Sequence, residues 1–362
     1  MSLILEKIDH VVNGATHIDN VSLELAPGSF NVLLGRTLAG KTTLMRLMAG
    51  LERPTHGRIL MNGHDVTGVP VRKRNVSMVY QQFINYPSLT VYENIASPLR
   101  LAGVEAREID RRVRETAEML HMEALLERYP QELSGGQQQR TAMGRALVKD
   151  AEVILFDEPL VNLDYKLREE FREELRELFK TRKAIAVYAT TEPNEALALG
   201  GHTALLHEGK LLQYGRTEDV YHRPQNILSA EMFSEPPINV LPGMVSGSEV
   251  TFDRRVHFSL TDDLKRLAPG QYQFGVRASH ITLGPQSPDD LGLPVSVDLA
   301  EISGSETFLH VHNDLFDLVV HLAGVHEFAV DQEITVYLPP HKMYAFDREG
   351  AVVHIPPHLE GA

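Results

Sequence analysis

One eight-residue segment constrains this chain more than any other. Residues 35–42 read GRTLAGKT, which fits the G-x-x-x-x-G-K-[ST] spacing of a phosphate-binding loop. The strand-like NVLL precedes the segment and the helix-like TTLMRLMAG follows it, as such a loop requires. A chance glycine turn would rarely have both of these flanks. The segment therefore predicts that the chain binds a nucleotide through its phosphates.

Each residue type in this loop has its own chemical task. The glycines let the backbone curl so that N–H groups point at phosphate oxygens. Lys41 supplies a positive charge for the β- and γ-phosphates, Thr42 supplies an oxygen for Mg²⁺, and the following helix contributes its positive N-terminal end. The predicted nucleotide-contacting residues are Gly35, Arg36, Thr37, Leu38, Ala39, Gly40, Lys41, Thr42 and Thr43.

A second segment, VILFDE at residues 153–158, is an apolar strand that ends in two carboxylates. Asp157 is placed to hold the Mg²⁺ through water, and Glu158 is placed to polarise the attacking water. Two adjacent acids after a strand are a weak signal by themselves, because many surface turns look similar. Behind a phosphate-binding loop the pair predicts nucleotide hydrolysis.

A third segment, LSGGQQQR, contains a Ser-Gly-Gly turn that opens a helix. Free N–H groups and a hydroxyl point outward there, at the positive end of the helix. The turn formed by Ser134, Gly135, Gly136 and Gln137 is thus a second predicted anion site. Its natural use is to hold the γ-phosphate of a nucleotide that another subunit binds. A well-capped surface helix is the simpler alternative.

The composition of the chain excludes several classes of protein. The 362 residues are 43% hydrophobic and 23% charged, which is ordinary for a globular chain long enough for two domains. A net charge of −14 argues against a general nucleic-acid surface. The lack of cysteine excludes disulfides and Cys-ligated zinc. We expect neither a secretory signal nor a membrane-spanning helix, since no apolar run approaches the ~18 residues that a span needs.

The order of apolar runs predicts two domains. Strand-like runs alternate with helical periodicity in the first two-thirds, which is typical of α/β architecture. The proline-rich SEPPINVLPG predicts a linker near residue 235, and alternating segments beyond it predict a small all-β domain. The predicted domains are 1–235 and 236–362. Strands are predicted at 30–34, 153–156, 185–189, 204–206, 272–276, 295–299, 308–311 and 318–321, and helices at 109–120 and 167–178.

The combined motifs resemble those of ABC transporter ATPase subunits, over nearly the whole chain. Gln81, in VYQQFINYPSLTVYENI, looks like the Q-loop that links the nucleotide site to the membrane partner, and LVNLD at 160–164 looks like the D-loop. YPSLTVYENI and QQQR resemble the carbohydrate-importer branch, typified by maltose and glycerol-phosphate systems. The resemblance implies an α/β P-loop cassette with a helical subdomain at about 85–150 and a C-terminal, OB-like regulatory domain.

The resemblance also implies a mechanism and a set of partners. Two cassettes enclose two ATP molecules, each bound by the P-loop of one chain and the Ser134 turn of the other. The implied partners are a second ATPase subunit, two transmembrane permeases and, indirectly, an external substrate-binding protein, with no nucleic acid. The implied location is the cytoplasmic face of the inner membrane. The implied cofactors are ATP and Mg²⁺, with Thr42, Gln81 and Asp157 at the metal, Glu158, Gln81 and Thr191 in catalysis, and Asp164 beside the nucleotide.

Four positions depart from the family pattern. Thr191 stands where the family has its switch histidine, and Val12 stands where an aromatic ring normally stacks on adenine. Val161 replaces the usual D-loop serine, and Leu38 puts a Cβ where the P-loop usually has glycine. Together these changes predict slow hydrolysis at this chain's own site, while the intact LSGGQQQR can complete a partner's site. We therefore expect a heterodimer with a related ATPase, in an importer of sugars or polyols such as glycerol.

Other readings stay open at this level. Thr191 can be a functional substitute in a homodimeric sugar-importer ATPase, or the chain can be a nucleotide-binding regulatory subunit with little hydrolysis. A soluble ABC ATPase acting on ribosomes or DNA is disfavoured by the acidity, the single P-loop and the lack of sustained heptads. The pairs His310/His312 and His354/His358 have no converging acids in sequence, so no protein-ligated metal is expected.

Overall fold

The computed structural model describes residues 2–82, 84–160, 165–253, 256–260 and 262–357. The chain divides into two units, residues 1–217 and 218–362. Within the described ranges, no helix combines the length and the apolar character that crossing a bilayer demands.

Unit 1 is an α/β unit with two sheets. Its strands are β1 (Leu3–Val12), β2 (Ala15–Leu25), β3 (Phe30–Leu34), β4 (His56–Met61), β5 (His64–Asp65), β6 (Val76–Val79), β7 (Val153–Asp157), β8 (Ile185–Thr190), β9 (His202–His207) and β10 (Lys210–Arg216). Its helices are α1 (Lys41–Ala49), α2 (Val91–Leu101), α3 (Ala106–Met119), α4 (Gly135–Leu147), α5 (Tyr165–Thr181) and α6 (Pro193–Leu199).

The larger sheet has the strand order β10-β9-β3-β8-β7-β6, and all its pairs are parallel except β10 with β9. Every residue of β7 and of β8 is buried, as expected of parallel strands covered on both faces. The four strands predicted in this region lie within β3, β7, β8 and β9. Because β3, β7 and β8 run parallel, the residues that follow them meet at one edge.

The helices have clear local causes. The buried face of α3 carries Ile109, Val113 and Ala117, the spacing of an amphipathic helix. At the start of α2, the Thr90 hydroxyl accepts from the Glu93 N–H at 3.2 Å, and the Glu93 carboxylate accepts from the Thr90 N–H at 3.0 Å. The helices predicted at 109–120 and 167–178 correspond to α3 and α5. Helices α2 to α4 lie in the region predicted as a helical subdomain.

Unit 2 is built mainly from antiparallel strands, so the predicted all-β character is confirmed. Its strands are β11 (Asn239–Ser246), β12 (Glu249–Asp253), β13 (Val256–Ser259), β14 (Gly270–Val276), β15 (Leu291–Ser303), β16 (Glu306–His312), β17 (Asp317–Ala323), β18 (Glu333–Leu338), β19 (Tyr344–Phe346) and β20 (Val352–His354). They form sheets of order β13-β12-β11-β14-β19-β20 and β17-β16-β15-β18 around a shared apolar core. The helices are α7 (Thr217–His222), which begins at the boundary, and α8 (Ile227–Met232).

The boundary between the units differs from the prediction. It lies after Thr217, whereas the sequence placed it after residue 235. Residues 218–235 group with unit 2 because Ala230 of α8 packs with Tyr344 and Phe346, and because the Arg277 guanidinium donates to carbonyls in this segment. The proline-rich stretch is therefore inside unit 2 and leads straight into β11.

Arg74 holds the C-terminal end of α1. It is 4% exposed, and its guanidinium donates to the carbonyls of Leu47 (3.0 Å), Met48 (2.8 Å), Val66 (2.6 Å) and Val69 (2.8 Å). Carbonyls at a helix C-terminus carry partial negative charge, so a cation is favourable there. Arg74 thus stabilises the C-terminal end of α1, the helix that follows the phosphate-binding loop.

Replacing Arg74 should destabilise unit 1 strongly. We expect Arg74→Met to lower the free energy of unfolding by about 2–4 kcal/mol, because four carbonyls lose a buried donor. The exposed neighbour Arg72 gives a matched control, and Arg72→Met should change stability by less than about 0.5 kcal/mol. Urea denaturation of both variants measures the difference. Equal losses would contradict the account of Arg74.

Candidate nucleotide-binding site

The phosphate-binding loop connects the end of β3 to the start of α1. Gly40 caps α1 with a φ of 101°, a left-handed conformation that favours glycine. A Cβ at Gly35 would lie 2.4 Å from the Leu206 carbonyl oxygen, so a side chain has no room there. Two glycines therefore fix the curl that the sequence pattern predicted.

The Lys41 ammonium is buried at the base of this loop. Its Nζ donates to the carbonyls of Gly35 at 2.7 Å and Arg36 at 3.2 Å, and it lies 3.2 Å from Oε1 of Glu158. Lys41 is 4% exposed, and a buried charge of this kind needs such partners. The loop carbonyls thus hold the ammonium at the loop itself, where a phosphate group would be bound.

Thr42 and Asp157 form an oxygen pair beside Lys41. The Thr42 hydroxyl donates to Oδ1 of Asp157 at 2.9 Å. Burial raises the pKa of the Asp157 carboxyl, and the Thr42 hydrogen bond acts in the opposite direction. A hydroxyl and a carboxylate are oxygen donors of the kind that Mg²⁺ prefers. These residues fit a Mg²⁺ ion whose other ligands come from phosphate and water.

Gln81 and Lys41 both contact the carboxylate of Glu158. The Gln81 amide nitrogen lies 3.4 Å from Oε2 of Glu158, and Lys41 contacts the other oxygen. Glu158 has a φ of 45°, which is strained for a non-glycine residue and typical of functional sites. Its N–H donates to the Ala189 carbonyl of β8 at 3.2 Å. The residue is therefore fixed by backbone and side chain together.

A cavity of about 630 Å³ lies over the loop. Its lining includes seven predicted P-loop residues together with Gln81 and Glu158. The described residues of the lining are Ala15, Thr16, His17, Thr37, Leu38, Ala39, Gly40, Lys41, Thr42, Thr43, Gln81, Glu158, Glu208 and Gly209. A larger cavity of about 910 Å³ on the outer face of the β1-β2-β4 sheet contains none of these groups. Chemistry, and not volume, therefore decides which cavity holds the nucleotide.

Val12 and Thr191 do not line this cavity. Val12 pairs with Ala15 across the β1–β2 turn, is 39% exposed and does not line the cavity. Thr191 follows β8, does not line the cavity, and has no hydrogen-bond partner for its hydroxyl within the described ranges. Asp164, and Val161 with it, fall outside the described residues.

The Ser-Gly-Gly turn caps α4 at a separate place. The Ser134 hydroxyl accepts from the Gln137 N–H at 3.4 Å, and the Gln137 side chain accepts from the Ser134 N–H at 3.0 Å. Ser134 and Gly135 are exposed, and a Cβ at Gly135 would meet nothing within 4 Å. A role for this turn in binding the nucleotide of another subunit stays a prediction.

The chain is similar in sequence to a known protein family and to proteins of known role. A family model described as ABC transporter matches residues 18–161. The sn-glycerol-3-phosphate import ATP-binding protein UgpC of Escherichia coli (strain K12) is 36% identical over 350 residues, which is 96% of this chain and 98% of the relative. The chain belongs to the ABC transporter ATPases. The corresponding protein of Salmonella typhimurium (strain LT2) is 37% identical with the same coverage.

Solved structures place the cassette within the ABC fold. A dimeric ATP-binding cassette in a post-hydrolysis state, bound to ADP and phosphate, matches with a TM-score of 0.54 at 27% identity. It covers 59% of this chain and 98% of its own length. A second dimeric structure of a bacterial ABC transporter cassette matches equally. This ABC ATPase thus binds ATP and couples its hydrolysis to transport, as the sequence predicted.

Five residues that line this cavity were missing from the predicted site: Ala15, Thr16, His17, Glu208 and Gly209. His17 contributes the one aromatic ring among the described residues of the lining, and its carbonyl oxygen lies 3.0 Å from the position that a Cβ on Gly40 would occupy. It reaches the cavity because β2 returns beside β1 in the register Val11 to Thr16. No local motif marks these residues. Pairing of β1 with β2 brings Ala15, Thr16 and His17 to the cavity, and the β9–β10 turn carries Glu208 and Gly209.

His17 should contribute to nucleotide affinity where Val12 does not. Stacking of a base on an aromatic ring is worth on the order of 1–3 kcal/mol, so we expect His17→Ala to weaken ATP binding about fivefold or more. Val12→Ala should leave the dissociation constant within about twofold, because Val12 does not line the cavity. Titration with a fluorescent ATP analogue measures both variants. A loss at Val12 that equals the loss at His17 would contradict this difference.

Proposed function

We propose that this chain powers the import of a small polyol, sugar or sugar-phosphate solute. Similarity over 96% of the chain to a glycerol-3-phosphate import ATP-binding protein supports this. In the proposed assembly, two cassettes bind two transmembrane permeases at the cytoplasmic face of the inner membrane, and an external binding protein delivers the solute. The permeases and the binding protein then recognise the cargo, and this chain supplies the ATP-driven motion.

The proposed ATP chemistry uses the residues that converge at the edge of the larger sheet. Loop N–H groups and Lys41 hold the phosphates, Thr42, Asp157 and Gln81 hold Mg²⁺, and Glu158 polarises the attacking water. The observation that carries this assignment is the approach of Lys41 and Gln81 to the two oxygens of Glu158, at 3.2 and 3.4 Å. ATP binding and hydrolysis then favour different states of the cassette pair, as a switch requires.

We infer further that this chain's own site hydrolyses ATP slowly. A histidine side chain at position 191 would supply a γ-phosphate contact that threonine, with its short side chain, lacks. Leu38 adds a second difference, since it has a φ of 68° and is 94% exposed on the phosphate-binding loop. Loss of a contact made mainly in the transition state lowers kcat more than it lowers affinity.

Restoring a histidine tests this inference. In the complex with the partner cassette, whose own phosphate-binding lysine is replaced so that only this chain's site can turn over, Thr191→His should raise ATP turnover by about tenfold or more, because a single preorganised transition-state contact is commonly worth 10²–10³ in kcat. Thr191→Ala is the matched control, and its turnover should equal that of the unmodified chain. A malachite green phosphate assay measures all three. Turnover of the unmodified chain that already equals that of Thr191→His would overturn the slow site.

The Ser134 turn keeps the family pattern, so we propose a role for it in the ATP site of a partner. It completes the ATP site of a related, non-identical cassette that carries the switch histidine. In a head-to-tail pair, the Ser134 turn of one cassette faces the phosphate-binding loop of the other. A chain with a slow site of its own therefore still contributes to one fast site.

Cysteine cross-linking distinguishes this pairing from a homodimer. The chain has no cysteine, so Leu38→Cys with Ser134→Cys introduces the sole thiols. We expect the doubly substituted chain alone to form no ATP-dependent covalent dimer under bismaleimide. Co-expressed with a related cassette that carries a P-loop cysteine, the Ser134→Cys chain should form a covalent heterodimer, detected by electrophoresis. Leu38→Cys alone is the control. Efficient ATP-dependent formation of covalent homodimers would indicate that the chain works as a homodimer.

A further inference from the structure

Strand β8 lies in the middle of the sheet edge where the phosphate-binding loop and Glu158 meet. It lies between β3 and β7, with Leu34 opposite Thr190 and Asp157 opposite Ala189. Past these pairs, the Gly35 N–H donates to the Thr190 carbonyl at 3.3 Å, and the Glu158 N–H donates to the Ala189 carbonyl at 3.2 Å. The last two residues of β8 therefore hold both the phosphate-binding loop and the residue that polarises water.

A buried carboxylate contacts this end of β8. Glu195 of α6 is 4% exposed, and its Oε2 accepts from the Thr190 hydroxyl at 2.5 Å and from the Tyr188 hydroxyl at 3.2 Å. Both donors belong to β8 and both are buried. Burying a carboxylate is costly, and burial raises the pKa of the Glu195 carboxyl. The two hydroxyls offset part of that cost.

The Thr190 hydroxyl links Glu195 to the segment that contains Thr191. While it donates to Glu195, it accepts from the Glu192 N–H at 3.0 Å. The Glu192 side chain is fixed in turn by the Arg168 guanidinium at 2.7 Å. The residues on both sides of Thr191 are thus anchored, although the hydroxyl of Thr191 itself is not.

We propose that Glu195 is a positioning residue that aligns the switch segment, residues 190–192, for hydrolysis through the Thr190 hydroxyl. The inference rests on the proposed assignment of position 191 to the γ-phosphate contact. Fixing Thr190 sets the direction of the residue that follows and, through the Thr190 carbonyl, the start of the phosphate-binding loop. Small displacements of aligned groups cost large factors in rate, which is why a buried carboxylate at this point matters.

Two substitutions separate positioning from burial. Thr190→Val and Tyr188→Phe each remove one hydroxyl donor from the same carboxylate at nearly constant shape, but only Thr190 is bonded to the switch segment. We expect Thr190→Val to lower kcat for ATP by about fivefold or more with KM within about twofold. Tyr188→Phe should retain kcat within about twofold. Equal losses in the two variants would overturn the positioning role. Both losses would then reflect only the missing hydrogen-bond donor to the buried Glu195 carboxylate.

Substitution of Glu195 itself gives a second measurement. Glu195→Gln keeps an oxygen that can accept from Thr190, so it should retain most of the turnover, whereas Glu195→Ala should lose it. Melting temperatures establish that each variant is folded. If glutamine loses as much as alanine, the hydrogen bond to Thr190 is not what Glu195 contributes, and the proposal fails.

Hydrogen exchange separates this inference from the proposed function. In Glu195→Ala the Thr190 hydroxyl is released, so the Glu192 N–H should exchange faster, by about fivefold or more, while protection in β3 stays unchanged. That readout does not depend on turnover. Unchanged exchange at Glu192 overturns the positioning role. By contrast, Thr191→His without a gain in turnover overturns the slow site and leaves the exchange result standing.

Discussion

The parallel hydrogen bonding of β3, β8 and β7 is the constraint on which the rest of the site depends. These neighbouring strands end at one edge, so Gly35 and Glu158 both contact the end of β8 although they are far apart in sequence. The N–H groups just past β3 and β7 both donate to carbonyls of β8. A shift of β8 by one residue would displace the phosphate-binding loop and Glu158 together.

One ammonium and two carboxylates lie within a small volume at this edge. Lys41 is surrounded by loop carbonyls and Glu158, and Asp157 is paired with a neutral hydroxyl. In a partly buried setting the effective dielectric is low, so such groups interact strongly with a nucleotide phosphate as well as with each other. The same setting makes each group costly if its partner is lost. In the proposed mechanism, binding and hydrolysis therefore depend on the whole set of residues and not on one of them.

Two residues of this site have strained backbone conformations. Leu38 and Glu158 are non-glycine residues with φ values of 68° and 45°. Such conformations persist only where the surroundings hold them, and here the ends of β3, β7 and α1 do so. Arg74 contributes from the far end of α1, since it satisfies the carbonyls that a helix leaves open. The strained loop thus lies between two elements that are each fixed by hydrogen bonds.

The sequence by itself determined the phosphate-binding loop, the strand that ends in Asp157 and Glu158, and the cap at Ser134. Each depends on spacing within about ten residues, where glycine, lysine and apolar runs leave few conformations. Tertiary structure alone decided that His17 lines the cavity while Val12 does not, that residues 218–235 join unit 2, and that Glu195 lies beneath the switch segment. These outcomes follow from strand register and from packing between distant segments, whose free energies no local pattern encodes.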